Sequence, residues 1–160
     1  MNIRRIVTIV SLVLLSACGG GGGGGDDTVA PNTVNYLTVV LEGSEAASVK
    51  GIQATITLPT GVAFNTDAAN KSKLLITPAA NVPAGYIDGI YTAATPSAPA
   101  TASLVYLTTG SLTAGDLVSL KLDVSPGVAV PAASAFLLSN VKLVTGVTGS
   151  TVSGASLTLR

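Results

Sequence analysis

The sequence has no histidine and no tryptophan, and Cys18 is its single cysteine. A chain of this composition lacks the common zinc and copper ligand sets, a Ser-His-Asp triad and a Cys-His pair. These absences exclude most hydrolase mechanisms. We therefore predict that the protein is not an enzyme and that it holds no cofactor.

Carboxylates are the remaining candidates for catalysis or metal binding. Two of them are sufficient in principle for glycoside hydrolysis, and the candidates are Asp67, Asp88, Asp116 and Asp123. Each lies at a predicted turn or at an outward strand position, where a solvated carboxylate is expected. Asn65, Asp67 and Asp88 are also conceivable calcium ligands, but the chain has no D-x-[DN]-x-[DN]-G loop. We predict no metal site.

Charge is scarce, with eight basic and eight acidic residues in the whole chain. Arg4 and Arg5 fall in a predicted leader, so the remainder carries six basic against eight acidic residues, a net charge of −2. Binding to nucleic acid requires a clustered basic surface. We therefore predict that nucleic acid is not a partner.

Aromatic residues are also few, with four tyrosines and two phenylalanines, so the core has to be built from Val, Leu, Ile and Ala. The many β-branched and small residues favour strands, and 18 glycines and 8 prolines supply frequent breaks. This composition predicts an all-β sandwich rather than a helical fold.

The first eighteen residues have the pattern of an exported leader. Two arginines precede an apolar run at residues 6–15, which is too short to span a bilayer as a stable helix. Leu-Ser-Ala-Cys follows at positions 15–18 and resembles the lipobox of bacterial lipoproteins. The resemblance implies removal of residues 1–17 as a signal peptide and diacylation of Cys18 as the new N-terminus. The alternative is an ordinary secretory leader with Cys18 near the cleavage site by chance.

Acylation accounts for the lone cysteine, since an exported thiol without a disulfide partner is a liability. Residues 19–25 are seven consecutive glycines, expected to form a flexible tether spanning roughly 15 Å. A phosphate-binding loop would instead need a preceding strand, a following helix and usually a lysine. Gly19 is not the aspartate that retains lipoproteins in the inner membrane, which favours anchoring in the outer membrane of the cell envelope.

Two stretches alternate apolar and polar residues cleanly, at residues 51–59 and 117–124. A period of two predicts strands with one buried face. The residues predicted to face the core are Ile52, Ala54, Ile56, Leu58, Val118, Leu120, Leu122 and Val124. Further strands are predicted at residues 35–42, 62–64, 74–77, 102–109, 136–145 and 155–159. Residues 81–89 are predicted to form a loop, and residues 146–154 a hairpin turn.

The order of these segments resembles the cohesin-like jelly-roll family, which is related to carbohydrate-binding modules. The resemblance covers most of residues 34–159, and it consists of a Gly-Asp turn before a core strand, then a Phe-led strand before a glycine-rich hairpin. The residues at those places are Gly115, Asp116, Leu120, Leu122, Phe136 and Gly149. It implies an antiparallel jelly-roll β-sandwich that binds a dockerin-like protein partner through one sheet face.

Three regions are expected: a signal peptide at residues 1–17, an acylated cysteine with a Gly-rich tether at residues 18–33, and a cohesin-like sandwich at residues 34–160. The favoured function is that of a non-catalytic module, attached to the membrane by its lipid anchor, which recognises a protein partner.

Two other functions remain open at this point. The first is a carbohydrate-binding module for a polysaccharide, in which Tyr86 and Tyr91 form a stacking platform. The same two rings also suit a plug at the end of the sandwich. The second is a structural surface subunit that associates with itself through an exposed strand edge.

Replacing Cys18 tests the anchor directly. Cys18→Ser removes the acylated sulfur, so we expect unprocessed precursor to accumulate and radiolabelled palmitate to be absent from the protein. Ser16→Gly keeps a small residue before the cysteine and serves as the control that retains label. Palmitate incorporation into the Cys18→Ser protein would contradict the lipobox interpretation.

Overall fold

The computed structural model describes residues 35–146 and 149–160, so the predicted leader, Cys18 and the glycine tether lie outside the described part. Within it the chain forms nine strands and two short 3-10 turns, Ala46–Ser48 and Ala133–Ala135. The strands are β1 (Tyr36–Glu42), β2 (Gly51–Thr57), β3 (Val62–Phe64), β4 (Ile76–Pro78), β5 (Gly85–Thr92), β6 (Thr101–Thr108), β7 (Gly115–Val124), β8 (Leu137–Val144) and β9 (Ser156–Leu159).

The strands form two antiparallel sheets that pack against each other, which confirms the predicted β-sandwich. The four-stranded sheet has the order β5-β6-β2-β8. In the five-stranded sheet β7 pairs with β1, and β1 pairs with β9. β3 and β4 share the other edge of β7, since β3 lies opposite residues 122–124 and β4 opposite residues 118–120.

The core lies between the sheets and is built largely from aliphatic side chains. Ile52, Ala54 and Ile56 of β2 are at most 2% exposed, and Leu58 just beyond the strand is also buried. In β7 the inward positions 118, 120 and 122 are buried, whereas Val124 at the end of the strand is only partly so. Each fully buried Leu, Ile or Val contributes about 1.5–3 kcal/mol to the free energy of unfolding. The predicted inward faces of β2 and β7 are therefore confirmed.

The prediction of a loop at residues 81–89 was wrong. β5 runs from Gly85 to Thr92 and pairs with β6 along its whole length. Pro83 and Gly85 suggested a loop, but Gly85 and Gly89 are required by close packing. A Cβ on Gly85 would collide with the backbone oxygen of Leu107, and one on Gly89 would lie 2.6 Å from Cδ1 of Leu74. Glycine in a strand often marks such an approach.

The segment between β8 and β9 also differs from the predicted hairpin. It starts as one, because the backbone N–H of Val152 donates to the carbonyl of Leu143 at 2.8 Å. β8 pairs with β2, however, whereas β9 pairs with β1 in the other sheet. The connection therefore crosses from one layer of the sandwich to the other, since β9 completes the opposite sheet.

The outer edge of β5 is covered at its middle by the segment that joins β3 to β4. The N–H of Leu74 donates to the carbonyl of Gly89 at 3.0 Å, and the N–H of Tyr91 donates to the carbonyl of Ser72 at 2.7 Å. These bonds satisfy backbone groups that an edge strand would otherwise leave open. β5 is therefore protected, although it is the last strand of its sheet.

β8 contains a bulge opposite Ala54. Gln53 pairs with Lys142 and Thr55 pairs with Ser139, so two residues of β8, Asn140 and Val141, face one residue of β2. Asn140 adopts a φ of 51°, in the left-handed region that asparagine tolerates better than most residues. The extra residue reverses the alternation of β8, so that Lys142 and Val144 point away from the core while Leu143 is buried.

Ile56 provides the test of the core assignment. Its side chain is fully buried in β2, so Ile56→Asp places an unpaired charge in an apolar interior at a cost of several kcal/mol. Against a typical stability of roughly 5–15 kcal/mol, we expect a fragment spanning residues 33–160 to lose its cooperative thermal transition.

The matched control for Ile56→Asp is Gln53→Glu. Gln53 lies on the same strand but points to solvent, so its replacement should change the unfolding free energy by about 0.5 kcal/mol or less. A cooperative transition retained in Ile56→Asp would contradict the inward assignment.

Candidate functional site

The face of the four-stranded sheet that points away from the core, here called the outer face, is not covered by any other part of the described chain. The pairing of the strands arranges its side chains in four rows, each crossing β5, β6, β2 and β8 in that order. The rows are Tyr86, Leu107, Gly51 and Val144; Asp88, Val105, Gln53 and Lys142; Ile90, Ser103, Thr55 and Ser139; and Thr92, Thr101, Thr57 and Leu137.

The outer face is unusually apolar for a solvent-facing surface. Tyr86, Ile90 and Leu137 are 60%, 59% and 64% exposed, and Val105 and Leu107 between them are half-buried. Gly51 keeps the first row continuous, because its missing Cβ lets the side chains of Leu107 and Val144 lean over it. The apolar area is contiguous from Tyr86 and Ile90 through Val105 and Leu107 to Val144, whereas Leu137 lies apart from it in the fourth row. Contiguous exposed apolar area marks an interaction surface more often than isolated exposed residues do.

An open cavity of about 500 Å³ lies at the end of the first row. Its lining residues are Lys50, Ala84, Gly85, Tyr86, Leu107, Thr108, Thr109 and Gly146. The Nζ of Lys50 donates to the carbonyl of Gly110 at 2.6 Å and to the Oγ of Ser111 at 3.3 Å, which holds the ammonium at this end of the sheet. The volume suits a side chain or a small ligand.

Two smaller grooves lie on the outer face itself. One follows the boundary of β5 and β6, has a volume of about 130 Å³, and is lined by Tyr86, Asp88, Gly89, Ile90, Ser103 and Val105. The other crosses β6, β2 and β8, has a volume of about 220 Å³, and is lined by Gly51, Ile52, Gln53, Val105, Leu107, Lys142 and Val144. The two grooves lie on either side of the middle of the sheet.

The second row carries one charge of each sign. The hydroxyl of Tyr86 donates to Oδ2 of Asp88 at 3.1 Å, and the backbone N–H of Gly89 donates to Oδ1 at 2.8 Å. The carboxylate of Asp88 raises the pKa of Tyr86, because the hydrogen bond and the negative charge both favour the neutral phenol. Lys142 lies exposed at the opposite end of the row.

The structure does not bring Tyr86 and Tyr91 together. They are five residues apart on β5, and an odd separation on a strand places two side chains on opposite faces. Tyr86 projects from the outer face, whereas Tyr91 packs edge-on against Phe64, with ring centroids 6.5 Å apart. Partial burial raises the pKa of Tyr91, and the charge of Asp123 adds to this effect. The two rings therefore share no stacking surface, and of the two only Tyr91 packs against the core.

Three of the four aspartates considered for catalysis have local partners. Asp67 accepts two backbone N–H bonds from the turn that follows it, and these bonds lower its pKa. Asp88 accepts the hydroxyl of Tyr86, and Asp116 forms an ion pair with Arg160. Among the described residues, no three His, Cys, Asp or Glu side chains cluster closely enough to hold a metal ion.

Comparison with known proteins adds no assignment: the chain matches no protein-family model, no curated protein and no solved structure. The predicted lipidation site at Cys18 lies outside the described residues, and no helix within them is long and apolar enough to cross a bilayer.

The residues of the outer face were not predicted from the sequence. Val105 and Leu107 on β6 gave the one available signal, because they make the strand apolar on both sides.

The contact between Tyr86 and Asp88 predicts a shifted ionisation. The pKa of Tyr86 should lie above its ordinary value of about 10, and Asp88→Asn should bring it back towards that value by removing the negative charge. Ultraviolet difference titration of the phenolate measures this pKa, with Tyr86→Phe identifying the signal. Asp116→Asn, on the other sheet, is the control that leaves it unchanged. An identical Tyr86 titration in wild type and Asp88→Asn would contradict the contact.

Proposed function

We propose that the protein is a lipid-anchored, non-catalytic binding module of the cell envelope. Its partner binds the outer face of the four-stranded sheet. The lipobox-like sequence ending at Cys18 supports the anchor, and the seven glycines after it support a flexible attachment. The partner is a protein, as the resemblance to cohesin-like domains implies.

The observation that carries this proposal is the uncovered apolar surface on an otherwise ordinary sandwich. Val105 and Leu107 belong to it, and the hydroxyl and amide groups of Gln53, Thr55 and Ser103 lie beside them. Apolar side chains interspersed with hydrogen-bonding groups are usual in a protein–protein interface. Strand spacing and rise give the face dimensions of roughly 19 by 27 Å, which suits a protein surface better than a small molecule.

A protein partner also fits the face better than a polysaccharide does. Carbohydrate recognition by stacking requires planar aromatic rings exposed on a common surface. Tyr91 points into the sandwich, so Tyr86 is the one aromatic side chain in the four rows of the outer face. A single exposed ring beside aliphatic side chains favours contact with another apolar protein surface.

Photo-cross-linking in the intact cell tests the face. A photoreactive phenylalanine analogue at Gln53, in the centre of the outer face, should produce a discrete adduct with a protein. The same analogue at Lys121 on the five-stranded sheet is the control, since that residue is also exposed on a central strand. We expect an adduct from position 53 and none from position 121.

Three other outcomes of this experiment would contradict the proposal. Equal adducts from positions 53 and 121 would show that the outer face is not the preferred surface. The absence of any protein adduct at position 53 would contradict the proposal that the partner is a protein. Adducts with polysaccharide alone would favour the carbohydrate-binding alternative.

A further inference from the structure

The charges of the outer face are placed at its two ends. Asp88 lies on β5 and Lys142 on β8, in the same row but three strand spacings apart, roughly 14 Å. They are therefore too distant to pair within one copy. The single ion pair among the described residues joins Arg160 to Asp116 on the other sheet. Of the other cations near the face, Lys50 is bound to a loop carbonyl. Lys73 pairs with Ile90 at the edge of β5 and lines a groove together with Asp88, but the two side chains form no ion pair.

We propose that the protein partner is a second copy of this chain, docked outer face to outer face. The two copies are related by a two-fold axis that lies in the interface, parallel to the strands and midway between β6 and β2. This inference rests on the assignment of the outer face as the binding surface. It adds the identity of the partner and the symmetry of the contact.

This symmetry makes the second row complementary to itself. The axis reverses the order of the strands and keeps each row opposite the same row, so β5 of one copy lies over β8 of the other. Asp88 then lies opposite Lys142 of the second copy, and the contact occurs twice. Charge complementarity of this kind fixes the register of an interface.

The first row brings apolar side chains of the two copies together. In the first row, Tyr86 lies opposite Val144 of the second copy, and the strip formed by Leu107 and Val144 over Gly51 meets the same strip. In the third row, Ser103 lies opposite Thr55 of the second copy, where two hydroxyl groups face each other.

The other face-to-face symmetry is disfavoured by the same charges. A two-fold axis perpendicular to the strands that passes through the second row places β5 over β5, so that Asp88 lies opposite Asp88 and Lys142 opposite Lys142. Like charges placed directly opposite each other weaken an interface. It also reverses the strand direction of one copy, which directs the two N-terminal ends away from each other.

The proposed axis keeps the two N-terminal ends on the same side. Because it runs parallel to the strands, Asn35 at the start of the described chain lies at the same end of both copies. Two anchors at Cys18 can then enter one membrane. The face is smaller than the roughly 800 Å² per partner of a standard interface, so the contact is weak in solution. Confinement to one membrane raises the effective concentration of the copies.

Cysteine cross-linking in the full-length protein tests this geometry. Two copies with different tags are expressed together, one carrying Asp88→Cys and the other Lys142→Cys. Packed faces lie about 10 Å apart, which is too far for a disulfide, so a short bismaleimide is the reagent. We expect this mixed pair to cross-link at least about tenfold more than either variant with itself, because like positions are more distant. Lys121→Cys, on the other sheet, is the matched control for accidental contact.

Charge reversal supplies the second test, with Gln53→Cys as the reporter, since this residue lies near its own counterpart across the axis. Asp88→Lys or Lys142→Asp alone should lower its cross-linking about tenfold, because each puts like charges together. The double variant Asp88→Lys with Lys142→Asp should restore it. Unchanged circular dichroism would show that all three variants are folded.

Three outcomes would overturn the inference. They are equal cross-linking of mixed and like pairs, a double reversal that does not recover, and cross-links from the outer face to a different protein alone. The last outcome would leave the outer face as a binding surface, so the proposed function would survive it. The absence of all protein adducts from the outer face would contradict both the proposed function and the proposed dimer.

Discussion

The structure depends on the burial of one face of β2. Ile52, Ala54 and Ile56 must all point inward, and β6 and β8 pair with β2 on either side, so the register of the whole four-stranded sheet is fixed by this strand. A slip by one residue would expose every buried side chain of the strand to solvent. The same constraint fixes the composition of the outer face. When residues 52, 54 and 56 of β2 point inward, residues 51, 53, 55 and 57 and the residues paired with them must point outward.

The parts of the fold that could be predicted are those in which local pattern and burial agree. β2 and β7 alternate without interruption, and both lie in the middle of a sheet with one face in the core. β5 could not be predicted, because Gly85 and Gly89 are characteristic of turns in sequence and their close neighbours come from distant parts of the chain. The chain crosses from one sheet to the other between β8 and β9. Which sheet β9 joins depends on which sheet has a free edge, and the local sequence does not indicate this.

The candidate site was less predictable than the fold. Tyr86 and Tyr91 were grouped because both lay near a predicted loop, whereas a strand through them separates the rings at once. Asp88 and Lys142 share a row although 54 positions separate them in the sequence, so only the sheet order relates them. The bulge at Asn140 is a further obstacle, because it reverses the facing of Lys142 and leaves no alternation from which to infer it.

The cover over the middle of β5 limits how this sheet can grow. Backbone bonds with Ser72 and Leu74 already occupy the centre of that strand, and residues 150–152 pair with the end of β8, so a new strand can be added only along residues 137–142 of β8. A sheet open on one side cannot propagate as a ribbon, because two copies joined at their open edges leave no template for a third. The four-stranded sheet therefore carries less risk of fibre formation than a sheet with two open edges would.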